Sequence, residues 1–246
     1  MRCYSLLIVG ATFLCSQMVL TDQVQSAEVP TSEQKIVSLT FDDGPSLKTT
    51  GAILDILKKE KVKATFFVLG QHAKEHPDLI RRIHNEGHEI GNHTYDHKNL
   101  KGLSTEGIRQ EIRKTQDVLE GAQLKVSWFR PPYGAGRAKA SSVASEFNLK
   151  TVLWTVDTRD WQKSSAKSVE ISVDQNVKNG SIVLMHDTKV VTVQALESII
   201  SQLKKNKYSF LTLTERESHD ARKHADELKL ATTKELQDKK TERSIG

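Results

Sequence analysis

Apolar and polar positions follow two rhythms along this chain. Short runs rich in β-branched and aromatic residues at 36–41, 64–69, 126–129, 151–156, 181–185 and 208–213 predict buried strands, with a shorter one at 89–90. Between them, apolar residues recur three and four apart. This spacing predicts helices at 50–60, 77–86, 104–121, 138–147, 169–179 and 194–205. Leu79, Ile80 and Ile83 share one helical face, as do Ile108, Ile112 and Leu119, and Ser104 is placed to cap the second of these helices. Strands written as continuous apolar runs are covered on both faces, and their regular exchange with helices predicts a mostly parallel sheet. Seven or so βα units in roughly 180 residues predict a single α/β domain, an irregular (β/α) barrel of about seven parallel strands rather than the regular eight. No internal repeat is visible.

The rhythm breaks at both ends. Arg2 precedes an apolar run at 6–14, and the small residues Ser26-Ala27 follow, which is the layout of a secretory signal peptide over 1–27. Gln25 stands where a small residue is usual. Ser16-Gln17 interrupts an apolar run already too short to span a bilayer well, so the expectation is a cleaved leader and no membrane span in the mature chain. A polar linker at 28–34 leads into the folded domain at 35–215. From 216 to 246 charged residues of both signs crowd in, and Ala221, Ala225, Leu228 and Leu236 form only a thin stripe, predicting a solvated tail, helical or frayed.

Composition narrows the function classes. With 37% hydrophobic and 27% charged residues, the 246-residue chain can bury a core and is not globally disordered. A formal net charge of +5 suits work near anionic polymers, yet no arginine-rich tract or basic-aromatic stripe appears, which argues against nucleic acid. Removing the leader takes Arg2 and Asp22 together and leaves that charge unchanged. Both cysteines, Cys3 and Cys15, lie in the leader, so the mature chain would have neither a disulfide nor a thiol nucleophile.

The candidate chemistry sits at strand ends. Asp42 and Asp43 close the first strand before the turn Gly44-Pro45. Alone, Asp before Gly-Pro is ordinary turn chemistry. Strand alternation predicts that the two carboxylates point to opposite sides, so that if both work they work on different things; one could bind a metal while its neighbour serves as a base. His93 and His97 are four apart; on a helical turn they would share a face and reach one ion. With a carboxylate such as Asp43 they would form a two-His, one-carboxylate set with open positions, which suits catalytic zinc, while cobalt, nickel or iron would satisfy the same ligands. An iron-oxygenase pattern of His-x-Asp/Glu with a distant His fits less well, because Tyr95 stands where its carboxylate would be. In Arg130-Pro131-Pro132-Tyr133-Gly134, two prolines fix the backbone and the glycine permits close approach, so the loop can aim an N–H at a developing oxyanion. Arg130 could hold a carboxylate bidentately. His186 ends the strand at 181–185, and a carboxylate from 157–160 could raise its pKa and keep it a proton donor.

Five blocks, Thr40–Pro45, His93–His97, Arg130–Gly134, Asp157–Trp161 and Leu184–His186, resemble in residues and order those of the polysaccharide deacetylases, carbohydrate esterase family four. The resemblance covers 34–215 and implies a catalytic domain there. It implies Asp42 as general base and Asp43, His93 and His97 as metal ligands. Arg130 would hold the base, the Tyr133 N–H would stabilise the oxyanion, and His186 would be the general acid tuned by Asp160, with Asp157 a second candidate. Pro131, Trp161 and Leu184 would line the groove. A basic mature chain without cysteines and with a short leader fits a secreted bacterial cell-envelope enzyme, expected to be a monomer. It would use a divalent metal, zinc first, to remove N-acetyl groups from an N-acetylglucosamine polymer such as peptidoglycan or chitin. Rival readings are removal of O-acetyl groups from xylan, a glycosidase, and a metal-dependent glycan-binding module. His72, His76, His84, His88, His219 and His224 match no block and read as surface or structural.

Overall fold

The strand Lys35–Asp42 (β1), seven of whose eight residues are buried, is the axis of the fold. Residues 34–245 are described by a computed structural model, with side chains described to residue 233; the expected leader and nearly all of the linker lie outside the described residues. Strands Thr65–Val68 (β2), Glu89–Asn92 (β3), Trp128–Phe129 (β4), Lys150–Thr151 (β5), Val156–Asp157 (β6), Ser181–His186 (β7) and Tyr208–Phe210 (β8) join β1 in one sheet. Its order is β5-β4-β3-β2-β1-β7-β6, with β8 paired to the first residues of β1, and every pairing is parallel. This is the irregular (β/α) barrel the sequence predicts. Its two path ends, β5 and β6, are consecutive in the chain.

Helices Thr50–Lys59 (α1), Gly70–Glu75 (α2), Pro77–Asn85 (α3), Thr105–Gly121 (α4), Arg137–Ser145 (α5), Ala166–Asn176 (α6) and Val190–Lys205 (α7) connect the strands. Val37, Leu39 and Phe41 of β1 pack into one apolar core with Ile53, Leu54 and Leu57 of α1 and Ile199 and Ile200 of α7. The Phe41 and Phe66 rings stack at 5.0 Å within it. Ser104 caps α4 by accepting from the Gly107 N–H, and Ile108, Ile112 and Leu119 are buried as their spacing predicts. Lysines close α1 (Lys58, Lys59) and α7 (Lys204, Lys205), complementing the negative helix ends.

Three features differ from the sequence expectations. The run at 151–156 is not one strand: β5 and β6 flank an irregular stretch at 152–155, because the Leu153 carbonyl turns to accept from Arg130 Nη2 at 3.1 Å instead of joining a ladder. A short helix, α2, separates β2 from α3. The strand expected over 208–213 ends at Phe210, and the helix Leu213–Ile245 (α8) begins ahead of the expected tail, with every described side chain from 220 to 233 exposed. Among the described residues no helix is long and apolar enough to cross a membrane.

Candidate active site and metal centre

Parallel pairing brings β1 and β7 to one end in register, with Asp42 opposite His186. There a cavity of about 410 Å³ opens, lined by Asp42, Asp43, His93, His97, Tyr133, Trp154, Asp157, Trp161, Leu184 and His186. A larger groove of about 680 Å³ between α2, α3 and α4 contains no histidine and only one carboxylate, Asp117, so the chemistry belongs to the smaller cavity.

Asp42 and Asp43 do not diverge as strand alternation predicts. Asp43 has left the strand with φ of 77°, and this left-handed turn swings its carboxylate into the cavity that Asp42 faces. The two histidines are not on a helical turn either. Thr94 (φ 70°) and His97 (φ 61°) fold the loop after β3 back on itself, bringing the imidazole centroids to 5.2 Å. Asn92 Oδ1 accepts the Thr94 N–H at 2.8 Å, while Glu111 Oε2 accepts those of Tyr95 and Asp96.

Asp43 Oδ1 lies 3.4 Å from His93 Nε2 and 3.2 Å from His97 Nε2, and ligand atoms of the three residues lie within 4.8 Å of one another. His93 Nδ1 donates to the Arg130 carbonyl at 2.7 Å, which leaves its Nε2 lone pair facing Asp43. His97 Nδ1 stands 3.2 Å from the Tyr133 hydroxyl. Asp43 Oδ1 is buried and accepts no hydrogen bond. A buried, unpartnered carboxylate oxygen facing two imidazole nitrogens fits a divalent transition metal, with room left for water and substrate. Burial alone would favour the neutral acid of Asp43. The polar contact and charge of His93, with the charges of His186 and His97, nevertheless hold its pKa well below the ordinary carboxylate range. Burial pushes the His97 imidazole down.

Asp42 Oδ1 accepts from Arg130 Nη1 at 2.8 Å, and the same nitrogen reaches Thr40 Oγ1 at 2.8 Å. Nη2 is spent on the Leu153 carbonyl, so the grip on Asp42 is single-pronged and not bidentate. The fully buried guanidinium lies over the Phe67 ring at 4.1 Å and faces Trp154 at 5.8 Å. Burial lowers the Arg130 pKa, against the charge of Asp42.

Asp160 is the carboxylate that reaches His186. Its Oδ1 accepts from His186 Nδ1 at 2.6 Å and from the Trp161 N–H at 3.0 Å; its Oδ2 accepts from the His186 N–H at 2.7 Å and from Thr192 Oγ1 at 2.5 Å. Burial alone would lower the His186 pKa, but the hydrogen bond and charge of Asp160, with the charges of Asp42 and Asp43, carry it up to about 9. Asp157 lines the cavity, and its Oδ1 accepts the Arg159 N–H at 2.9 Å. Tyr133 (φ 59°) and Trp161 both line the cavity and are both exposed. Pro131 is buried and is not among the lining residues.

Two features of the site carry no recognisable sequence block. Trp154 lines the cavity from the irregular 152–155 stretch, a position the strand expectation had hidden. Asp187 is buried behind His186, with Thr50 Oγ1 donating to its Oδ2 at 2.6 Å, and burial pushes its carboxyl up to about 7. A Cβ on Gly44 would stand 1.9 Å from Asp187 Oδ2, so only glycine lets the turn after Asp43 pass this carboxyl.

The sequence profile of a family described as "Polysaccharide deacetylase" matches residues 30–152. Over 182 residues the chain is 44% identical to a peptidoglycan-N-acetylglucosamine deacetylase of Bacillus cereus, covering 72% of this chain and 66% of that relative's own length. Peptidoglycan deacetylase PdaC from Bacillus subtilis superposes with a TM-score of 0.77 at 34% identity, covering 82% of this chain and 99% of that one. A pseudoenzyme of carbohydrate esterase family four from Bacillus anthracis superposes with a TM-score of 0.71 at 38% identity, covering 75% of this chain and 66% of that one.

Proposed function

The chain belongs to the polysaccharide deacetylase family, and from that premise we propose that it is a metal-dependent hydrolase removing N-acetyl groups from an N-acetylglucosamine polymer, peptidoglycan first, outside the cytoplasm. Since one similar structure is that of a pseudoenzyme, the case for turnover rests on the site itself. The observation that carries it is the convergence in one cavity of Asp43, His93 and His97 with Asp42, held by Arg130, and His186, held by Asp160. The leader-like residues 1–27 and the peptidoglycan named for the relatives support extracytoplasmic action.

Asp43, His93 and His97 would hold the divalent ion, zinc first. When bound, it supplies Lewis acidity at the acetyl carbonyl and the attacking water. Asp42 accepts the proton of that water as it attacks the carbonyl carbon. The Tyr133 backbone N–H donates to the developing oxyanion. Asp160 fixes the Nδ1–H tautomer of His186, so Nε2, directed into the cavity, protonates the amine as the C–N bond breaks. Acetate and a free amino sugar leave. Trp154, Trp161 and Leu184 form the apolar wall for the acetyl methyl and sugar ring. Because Asp42 and Asp43 face one cavity, the divergence expected from strand alternation gives no case against a glycosidase. That case rests on Asp43 facing two imidazoles, which takes one of the two adjacent carboxylates, Asp42 and Asp43, out of a pair that could flank a glycosidic bond.

The direct test is acetate release by the purified protein from peptidoglycan, a chitin oligomer and acetylated xylan, each with zinc and with chelator. Release from peptidoglycan, stopped by chelator and restored by zinc, is the expected result. Release only from xylan would replace the substrate class, and glycan binding without acetate from any of the three would overturn the enzymatic reading.

The pH profile gives a second expectation. His186 must be protonated to act, so kcat/KM should fall on the alkaline side near pH 9. Replacing Asp160 by Asn removes the leading charge that raises His186. The limb should move toward the ordinary imidazole value of about 6.5, cutting activity at pH 8 by about tenfold or more. The linkage runs the same way. Since the folded pKa exceeds the unfolded one, this ion pair stabilises the fold fully below about 6.5 and ceases to do so as pH rises through about 9. An alkaline limb unmoved in Asp160→Asn would take the tuning role from Asp160.

A further inference from the structure

The reading of Asp43, His93 and His97 as a metal centre leaves open what holds Asp43 in its left-handed conformation. We propose that His72 is a positioning residue that clamps the Asp43 backbone and thereby sets the metal affinity of the site, an inference that rests on that reading. His72 Nδ1 lies 2.8 Å from the Asp43 carbonyl oxygen. A carbonyl only accepts, so Nδ1 carries the proton and donates. The outer nitrogen, Nε2, lies 3.4 Å from Gln71 Nε2, whose N–H donates to it. With both ring nitrogens engaged, and no place among the cavity-lining residues, His72 is not itself a ligand.

Its position on α2 explains why the clamp acts on the whole centre. The Leu69 N–H donates to the Gly44 carbonyl at 3.0 Å, holding the Gly44–Pro45 peptide, one unit beyond the peptide that follows Asp43. At the start of α2, the Gly70 N–H donates to the Thr94 carbonyl at 2.9 Å and the Gln71 N–H to the Tyr95 carbonyl at 3.0 Å. Those two carbonyls lie between the ligand histidines. A single six-residue helix therefore holds the His93–His97 loop through backbone donors and the Asp43 segment through one side chain. Gly70 itself must be glycine here, because a Cβ would stand 2.5 Å from Thr115 Oγ1 and 2.7 Å from Tyr95 Cδ2. The backbone donors at Gly70 and Gln71 survive a side-chain substitution at residue 72, whereas the bond from α2 to the Asp43 carbonyl depends on that residue alone. Without it the Asp43 peptide can relax from φ of 77°, and Oδ1 is no longer held between two imidazoles.

The test compares His72→Leu with His72→Asn. The Asn Nδ2 is attached to Cγ as the His Nδ1 is, so it can donate to the same carbonyl. Zinc affinity of the full chain is measured by competition with a chromogenic chelator, and melting of the metal-free proteins is followed separately. Wild type should bind zinc, His72→Leu about tenfold or more weakly, and His72→Asn within about threefold of wild type. A merely structural histidine would lower the metal-free melting temperature in both variants and leave zinc affinity unchanged. Equal affinity in wild type and His72→Leu, or no recovery in His72→Asn, would overturn the clamp. Failure of wild type itself to bind zinc would instead overturn the metal-centre reading. Should His72→Leu not fold, His72→Ala carries the same comparison.

Discussion

Replacing Asp42 by Asn is expected to lower kcat by about 10³-fold while zinc affinity stays within about threefold of wild type. The substitution keeps the shape and the acceptor: an amide oxygen can still receive the Arg130 Nη1–H that Asp42 Oδ1 receives at 2.8 Å. What is lost is the ability to take a proton from the attacking water. Asp42 Oδ2 stands 3.7 Å from His93 Nε2, whereas Asp43 Oδ1 is within 3.4 Å of both imidazoles, so the ligand set should survive the change. Because the interaction is made in the transition state, kcat and kcat/KM should fall together with KM little altered. Turnover within about tenfold of wild type would remove Asp42 from the base role. Loss of zinc binding with turnover would make it a ligand instead. Acetate release and zinc titration on the same preparation decide among these.

The fold was legible because its strands and longer helices carry strong local patterns. The apolar run of β1, the buried Ile108, Ile112 and Leu119 of α4 and the Ser104 cap all stand where periodicity and capping chemistry put them. Short elements were not. α2 has six residues and buries only Gly70 and Ala73, too few to establish a helical period. The site was legible as residue types in order but not as geometry, and the reason is specific. Asp43, Thr94, His97, Tyr133 and Arg159 all adopt positive φ without being glycine, so nothing in their identity announces the turn that redirects each side chain. Alternation along a strand and i, i+4 spacing on a helix are sound rules for regular backbone. They failed at Asp42-Asp43 and at His93–His97 because the backbone there is irregular. His72 was passed over for a related reason: its partner is a main-chain carbonyl, which leaves no trace in any side-chain motif.

Replacing Arg130 by Met should be the most destabilising of these changes, at about 3–5 kcal/mol, with kcat reduced by about 100-fold. The guanidinium is fully buried and Asp42 is 3% exposed, so removing the cation strands an ionised carboxylate in the interior. Two further acceptors, Thr40 Oγ1 and the Leu153 carbonyl, lose their donors at the same time. Methionine approximates the volume and keeps contact with Phe67, so the cost is electrostatic more than steric. The charge component can be isolated by adding Asp42→Asn to Arg130→Met. The double variant no longer buries an unpaired charge, and it should regain about 2 kcal/mol relative to simple addition of the two single losses. Denaturant melts of all four metal-free proteins give the coupling directly. Additive losses would mean that Arg130 serves the fold through Thr40 and Leu153 and grips Asp42 only incidentally. Strong coupling with an inactive double variant would mean that the buried cation is kept because the base beside it must stay charged and fixed.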